Sequence, residues 1–181
     1  GCSIIDTAVI TEPSPLINTF DSTDVDCNGN ATGIATASII GGTAPYTYQW
    51  DDIGLQTTAS ATGLIAGTYT VQVMDSNNCT IAESITITEP VAITMVLDTT
   101  GANCGLSDGS VCVTVSSGAA PFTYLWDDPS AQTTACATGI PSGNYSVIIT
   151  DSTGCTATES AVINDLGAPT ISLSSFSDAN C

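Results

Sequence analysis

The run Gly42-Thr43-Ala44-Pro45-Tyr46-Thr47-Tyr48-Gln49-Trp50-Asp51-Asp52 is written a second time as Gly118-Ala119-Ala120-Pro121-Phe122-Thr123-Tyr124-Leu125-Trp126-Asp127-Asp128. A copy this close makes the chain an array of one structural unit, and every other residue is read by its place in that unit. Pro45 and Pro121 stand 76 residues apart, and Trp50/Trp126, Gly67/Gly143, Tyr69/Tyr145, Asp75/Asp151 and Cys79/Cys155 keep that offset. Cys27 and Cys104 are 77 apart, so one residue is gained or lost between that cysteine and Gly33/Gly109. Cys2 stands to Glu12-Pro13 as Cys79 stands to Glu89-Pro90, and Cys181 follows Cys104 by another 77 residues. The expected organisation is the last strand of a preceding repeat at 1–12, repeat one at 13–89, repeat two at 90–165, and the first strand of a following repeat at 166–181.

Composition then removes whole classes of function. The chain has 18 acidic residues and no Lys, Arg or His. Without cationic side chains it cannot neutralise phosphates, which argues against nucleic acid and against an anionic membrane surface, and no long apolar run suggests direct membrane insertion. A Ser-His-Asp triad, a Cys-His pair, a Schiff-base lysine and an arginine clamp are all excluded, so no enzyme is expected. No side-chain salt bridge can form, and stability must come from apolar burial, backbone ladders and cross-links. Eight cysteines with no His and no Cys-x-x-Cys point to disulfides, hence to an extracellular setting. The hydrophobic fraction of 43% is that of a folded domain, not of a disordered acidic tail.

The hydrophobic pattern has period two throughout. Ala35, Ala37 and Ile39 alternate with Thr36, Ser38 and Ile40, and repeat two sharpens this to Val111, Val113 and Val115 against Cys112, Thr114 and Ser116. Tyr46, Tyr48 and Trp50 share a parity that turns them inward, as do Tyr69, Val71 and Val73. A short strand is expected at 57–64, a hairpin turn at Asp75-Ser76-Asn77-Asn78 and a closing strand from Cys79 to Thr88. Glu12-Pro13-Ser14-Pro15 and Glu89-Pro90 read as short, stiff junctions because proline fixes φ and restricts its predecessor. Six or so short strands between turn signals suit an all-β fold of tandem immunoglobulin-like sandwiches.

Cys112 and Cys136 stand where repeat one has Thr36 and Ser60, and a pair gained together is expected to bond to itself across the neighbouring second and fourth strands. Of the other cysteines, Cys27 and Cys104 close the first strand of their repeats, whereas Cys79 and Cys155 open the last. In a sandwich these lie at opposite ends, roughly 25–30 Å apart for a strand of ~8–10 residues. That favours a Cys27–Cys155 staple across the junction. Cys27–Cys79 with Cys104–Cys155 stays open as the alternative, and the connectivity of Cys2 and Cys181 is not fixed.

Three kinds of motif at this level resemble binding sites. Trp50 and Trp126 could stack sugars, but their parity makes them core anchors. Asp51-Asp52 and Asp127-Asp128 are paired carboxylates whose adjacent side chains point apart, so a turn or solvated edge is expected, with Ca²⁺ binding as the alternative and cleft catalysis disfavoured. Asp6, Glu83 and Glu159 fall on the apolar parity of closing strands, where a buried carboxylate would need backbone donors, a metal ion or a bulge. Gln49 and Gln72 become Leu125 and Ile148 in repeat two, an apolar pair suited to lateral contact with copies of the chain or with neighbouring repeats in a fibre.

Gly41-Gly42-Thr43-Ala44-Pro45-Tyr46-Thr47-Tyr48-Gln49-Trp50, the run from Gly67 to Thr80 and Ile85-Thr86-Ile87-Thr88-Glu89-Pro90 resemble the SprB repeat of Bacteroidota surface proteins, gliding-motility adhesins included. The resemblance covers essentially the whole chain, with departures at Phe122 and at the extra cysteines of repeat two. It implies an immunoglobulin- or PKD-like domain in a long surface adhesin exported by the type IX system, and it implies no ligand. Asp followed by Ser or Thr and a small or aliphatic residue is similar to the O-glycosylation motif of that phylum, which marks Thr7, Ser22, Thr99 and Ser152 as acceptors. The function expected is a stalk or filament segment of a secreted cell-surface adhesin, with a carbohydrate-binding module gripping glycans as the alternative.

Overall fold

The computed structural model describes Ile4, Asp6, Glu12 and residues 14–167, and no helix occurs among them. Thr7, Cys2, Cys181 and nearly all of the flanking partial repeats lie outside the described residues. The chain divides between Pro90 and Val91 into two compact units.

In unit one, β1 (Ile17–Thr23), β2 (Gly33–Ile40) and β4 (Ser60–Leu64) form one three-stranded sheet in the order β1-β2-β4. The second sheet orders β3 (Thr47–Trp50), β5 (Gly67–Met74) and β6 (Thr80–Ile87) as β3-β5-β6. Unit two repeats this with β7 (Thr94–Thr100), β8 (Gly109–Ser117) and β10 (Cys136–Ile140) in one sheet. Its other sheet holds β9 (Thr123–Trp126), β11 (Gly143–Thr150) and β12 (Thr156–Ile163). All strand pairs are antiparallel, and each unit is an immunoglobulin-like sandwich.

The core of each unit lies between its two sheets. Ala35, Ala37, Ala61 and Leu64 from the first sheet meet Trp50, Val71, Val73 and Ile87 from the second. Small residues on β2 leave room for the indole, which is fully buried in both units. A buried indole N–H needs an acceptor. Trp50 Nε1 donates to Thr58 O at 3.0 Å and Trp126 Nε1 to Thr134 O at 2.9 Å. The residues supplying that acceptor are thereby drawn into a loop over the tryptophan, so β4 starts at Ser60 and not at Thr57 as the alternation predicts. Gly33 and Gly109 mark the tightest approach of the sheets: a Cβ on Gly109 would lie 2.8 Å from Ile163 Cγ2 and 2.9 Å from Ile140 O.

The closing strands correct one expectation. Glu83 is half-buried and Glu159 exposed, and β6 and β12 keep an unbroken register with their neighbours. Both strands are sheet edges, so a side chain of inward parity reaches water past the rim and needs no bulge or metal ion.

The two cores differ in several side chains, and one of these differences concerns a polar group. Asn18 of β1 is buried, and neither its Nδ2 nor its Oδ1 has a hydrogen-bond partner, whereas repeat two places Met95 there. An unsatisfied buried amide costs about 1–3 kcal/mol. Asn18→Met should therefore raise the stability of unit one by about 1–3 kcal/mol in urea unfolding followed by tryptophan fluorescence, and an unchanged or lower midpoint would contradict this account.

Candidate functional site

Each unit admits the chain at one end and releases it at the other, and the polar chemistry collects at these two ends. At the near end of unit one the β5–β6 hairpin folds around Asp75. Its Oδ1 accepts from Asn77 N–H at 2.8 Å and Cys79 N–H at 2.9 Å, and its Oδ2 from Thr43 N–H at 3.0 Å. Gly42 N–H donates to Ser14 O at 3.0 Å, so the incoming chain is tied to the same loop. Cys79 opens onto a recess lined by Glu12, Pro15 and Leu16. In unit two Asp151 does the same work, accepting from Thr153 Oγ1 at 2.7 Å and from Cys155 N–H at 3.0 Å.

The far end of unit one is the turn after β1. Gly29 N–H donates to Glu89 Oε2 at 2.7 Å and Asn28 Nδ2 to Pro90 O at 3.1 Å, which places Cys27 beside the departing chain. Val25 N–H donates to Thr88 O at 3.0 Å. The far end of unit two carries Cys104 in the equivalent turn, where Ala102 N–H donates to Asn164 O at 2.9 Å and Ala102 O accepts from Leu166 N–H at 2.8 Å.

The carboxylate pairs after each tryptophan divide their labour. Asp51 and Asp127 are exposed, and their Oδ1 atoms accept from Thr70 N–H at 2.8 Å and Ser146 N–H at 2.7 Å. Asp52 and Asp128 are buried, which corrects the expectation of a solvated edge. Asp52 accepts from Gly54 N–H, Gln56 N–H and Gln56 Nε2 at 2.9, 2.9 and 3.0 Å, and Asp128 is held likewise by Ser130 and Gln132. Both oxygens of Asp52 thus already face hydrogen-bond donors, an arrangement that fixes the tryptophan loop. Among the described residues no three Asp, Glu, Cys or His side chains stand close enough to hold a metal ion.

Burial alone would push the Asp52 carboxyl up, but hydrogen bonds from the Gln56 side chain and from Gln56 and Gly54 N–H outweigh it and hold the group below its ordinary 3.8. Burial likewise opposes, and the Gln132 N–H, the Gln132 side chain and the Ser130 N–H together outweigh it, at Asp128. Burial acts against Asp75 too, where the N–H groups of Cys79, Thr43 and Asn77 prevail. At Asp151 the Thr153 hydroxyl is the leading cause of the lowered value.

The cysteines fall into bonded and free sets. Cys112 and Cys136 face each other across β8 and β10 and are joined in a disulfide. Cys27 and Cys155 are each disulfide-bonded, whereas Cys79 and Cys104 are exposed free thiols. The alternative pairing of Cys27 with Cys79 and of Cys104 with Cys155 is therefore not formed, because near-end and far-end cysteines of one sandwich lie a strand length apart.

Leu125 and Ile148 are directly opposed on β9 and β11, 49% and 43% exposed, in a shallow recess with Asp127, Ala131 and Thr158. Unit one has Gln49 opposite Gln72 there, and Gln49 Nε2 donates to Trp50 O at 3.1 Å. Ser22, Thr99 and Ser152 are exposed; Ser152 belongs to the hairpin clamped by Asp151, so its Asp-Ser-Thr triplet has a turn-forming role of its own. Both indoles are buried, so neither tryptophan offers a stacking platform. Sequence reasoning placed Asp75 in a hairpin turn but did not read its carboxylate or that of Asp151 as a clamp, and it missed Gln56 and Gln132, although all four keep the repeat offset.

Carboxylates with lowered pKa stabilise the folded state above the ordinary carboxylate range, since the unfolded chain binds more protons, and that contribution is lost as pH falls through the depressed folded values. Acid unfolding followed by tryptophan near-UV dichroism should therefore start below about pH 4. Asp52→Asn with Asp128→Asn should lower stability at neutral pH and flatten the acid limb, because an amide cannot accept all three donors. An unaltered acid limb would contradict the clamp.

The SprB repeat family model matches residues 19–55 and 97–131, each stretch running from the first strand of a unit past its buried tryptophan. No match was found among curated proteins. Among solved structures, the amphioxus IgVJ-C2 molecule is similar at 15% identity and TM-score 0.32, covering 68% of this chain and 90% of that one. The N-terminal eight Ig domains of Down Syndrome Cell Adhesion Molecule give 12% identity and TM-score 0.38, with 84% of this chain and 25% of that one covered. The BSP domain of a biofilm associated protein gives 14% and 0.27, with 83% and 30% covered. Each of the two immunoglobulin-like units therefore contains one stretch that matches the SprB repeat.

Proposed function

We propose that the chain is a structural segment of the stalk of a secreted cell-surface adhesin, a spacer that holds an adhesive end away from the cell. One observation carries this reading: each unit takes the chain in at one end and lets it out at the other around a closed aromatic core, so tension runs through sheets and turns and not into a cleft. SprB repeats in gliding-motility adhesins support the same reading. Catalysis has no support, because the sequence has no His, Lys or Arg to complete the usual acid–base or nucleophile pairs. Self-repulsion among 18 carboxylates keeps neighbouring stalks soluble. The exposed Ser22, Thr99 and Ser152 are the glycan acceptors of this proposal, and intact mass of the native protein tests them. Side-to-side contact between copies is assigned to Leu125 and Ile148; exchanging both for glutamine, as in unit one, should abolish self-association in sedimentation and leave the fold unchanged.

Pulling by its termini on a chain carrying Cys27→Ser and Cys155→Ser, so that no cross-link at those positions bypasses the units, tests the stalk reading. Two separate unfolding steps are expected, one for each unit. The Cys112–Cys136 bond keeps a 24-residue separation from extending, so Cys112→Thr with Cys136→Ser should lengthen the step of unit two by roughly 80 Å at about 3.3–3.6 Å per residue. Extension without discrete steps would overturn the stalk role. Peptide mapping without reduction, using a protease that cuts at Asp because trypsin has no site, also tests the expected Cys27–Cys155 link.

A further inference from the structure

The free thiols follow a rule that the bonded ones reveal. Two cysteine positions recur in every unit: one at the near end, in the hairpin clamped by Asp75 or Asp151, and one at the far end, in the turn after the first strand. Cys79 and Cys155 are the near-end pair, Cys27 and Cys104 the far-end pair. Each position is a cystine in one unit and an exposed thiol in the other: Cys155 and Cys27 are disulfide-bonded, Cys79 and Cys104 are not. Neither thiol can reach the other cysteine of its own unit, because a strand length separates the ends. The backbone at the near-end position is held alike in both copies: Asp75 and Asp151 accept from the N–H of Cys79 and Cys155 at 2.9 and 3.0 Å, while the Cys79 thiol is exposed and the Cys155 sulfur buried.

We propose that Cys79 and Cys104 are the unused valences of a serial covalent ladder: Cys79 bonds the far-end cysteine of another SprB repeat, and Cys104 bonds the near-end cysteine of another. The partner is thus a further copy of the same unit, met end to end and always in one polarity. Each new bond removes two protons and two electrons from two thiols. The oxidant is a small-molecule or protein disulfide: one thiolate attacks it, forming a mixed disulfide and releasing one thiolate, and the second thiolate then displaces the other, leaving two reduced thiols behind. The proposal deepens the stalk reading but does not require adhesion, since it needs only that units follow one another.

The test uses the whole chain carrying Cys2→Ser and Cys181→Ser, incubated in a glutathione redox buffer at rising protein concentration and run without reductant. A concentration-dependent ladder is expected, with Cys79 linked to Cys104 of another copy as the dominant new peptide. The ladder should be lost in Cys79→Ser and in Cys104→Ser, whereas an equal mixture of those two variants should stop at the dimer. Monomer capped by glutathione, an intrachain Cys79–Cys104 bond, or homotypic links in statistical proportion would each overturn the proposal. Stepwise unfolding under force of the chain carrying Cys27→Ser and Cys155→Ser would leave the stalk reading standing, so the two failures are distinguishable.

Discussion

No carboxylate in this chain can be answered by a cationic side chain, and that restriction shapes the ends of both units. Desolvating a carboxylate is costly unless charge-assisted hydrogen bonds replace the lost water. Here the replacements are neutral: backbone N–H groups of tight turns and one glutamine amide in each unit. The acids therefore sit where N–H groups are left over, in the hairpin at Asp75 and Asp151 and in the loop at Asp52 and Asp128. By taking up those donors they fix the backbone of the regions that tie the chain in and cover the tryptophan. Structural order at the loops is thus made from the only charged groups the sequence possesses.

The tryptophan loop and the sandwich depend on each other. The indole fills the space that alanines on β2 and β4 leave open, and its N–H holds the carbonyl of Thr58 or Thr134. Asp52 or Asp128 then holds the loop that presents that carbonyl. Between copies the inward side stays apolar although Ala35 and Ala37 become Val111 and Val113 and Leu64 becomes Ile140, while the outward side changes in kind. Thr36 and Ser60 in unit one touch through their hydroxyls at 2.8 Å, and Cys112 and Cys136 in unit two turn the same cross-strand contact into a covalent one.

What the sequence discloses follows from what period-two alternation can encode. Strand parity put the tryptophans inside and aligned position 112 with position 136, because both statements concern neighbours on a pleated sheet. Burial of Asp52 and Asp128 was not readable that way, since turn residues have no parity. Glu83 and Glu159 misled for the opposite reason: alternation gives the face of a sheet but not whether the strand lies at its rim. The orphan amide of Asn18 shows only against the packed core, although Met95 at the equivalent place was visible from the start. The states of Cys27, Cys79, Cys104 and Cys155 were not readable from spacing, since each end of the sandwich holds a bonded cysteine in one unit and a free one in the other.

Because every internal charge is met by a dipole and not by an opposite charge, dissolved ions find no attractive pair to weaken. What they do screen is the mutual repulsion of a polyanion of net charge −18, whose range shrinks from roughly 30 Å at 0.01 M ionic strength to about 3 Å at 1 M. Salt therefore acts in one direction on this protein. Concentrated brine makes it tighter, and pure water is the harsher medium.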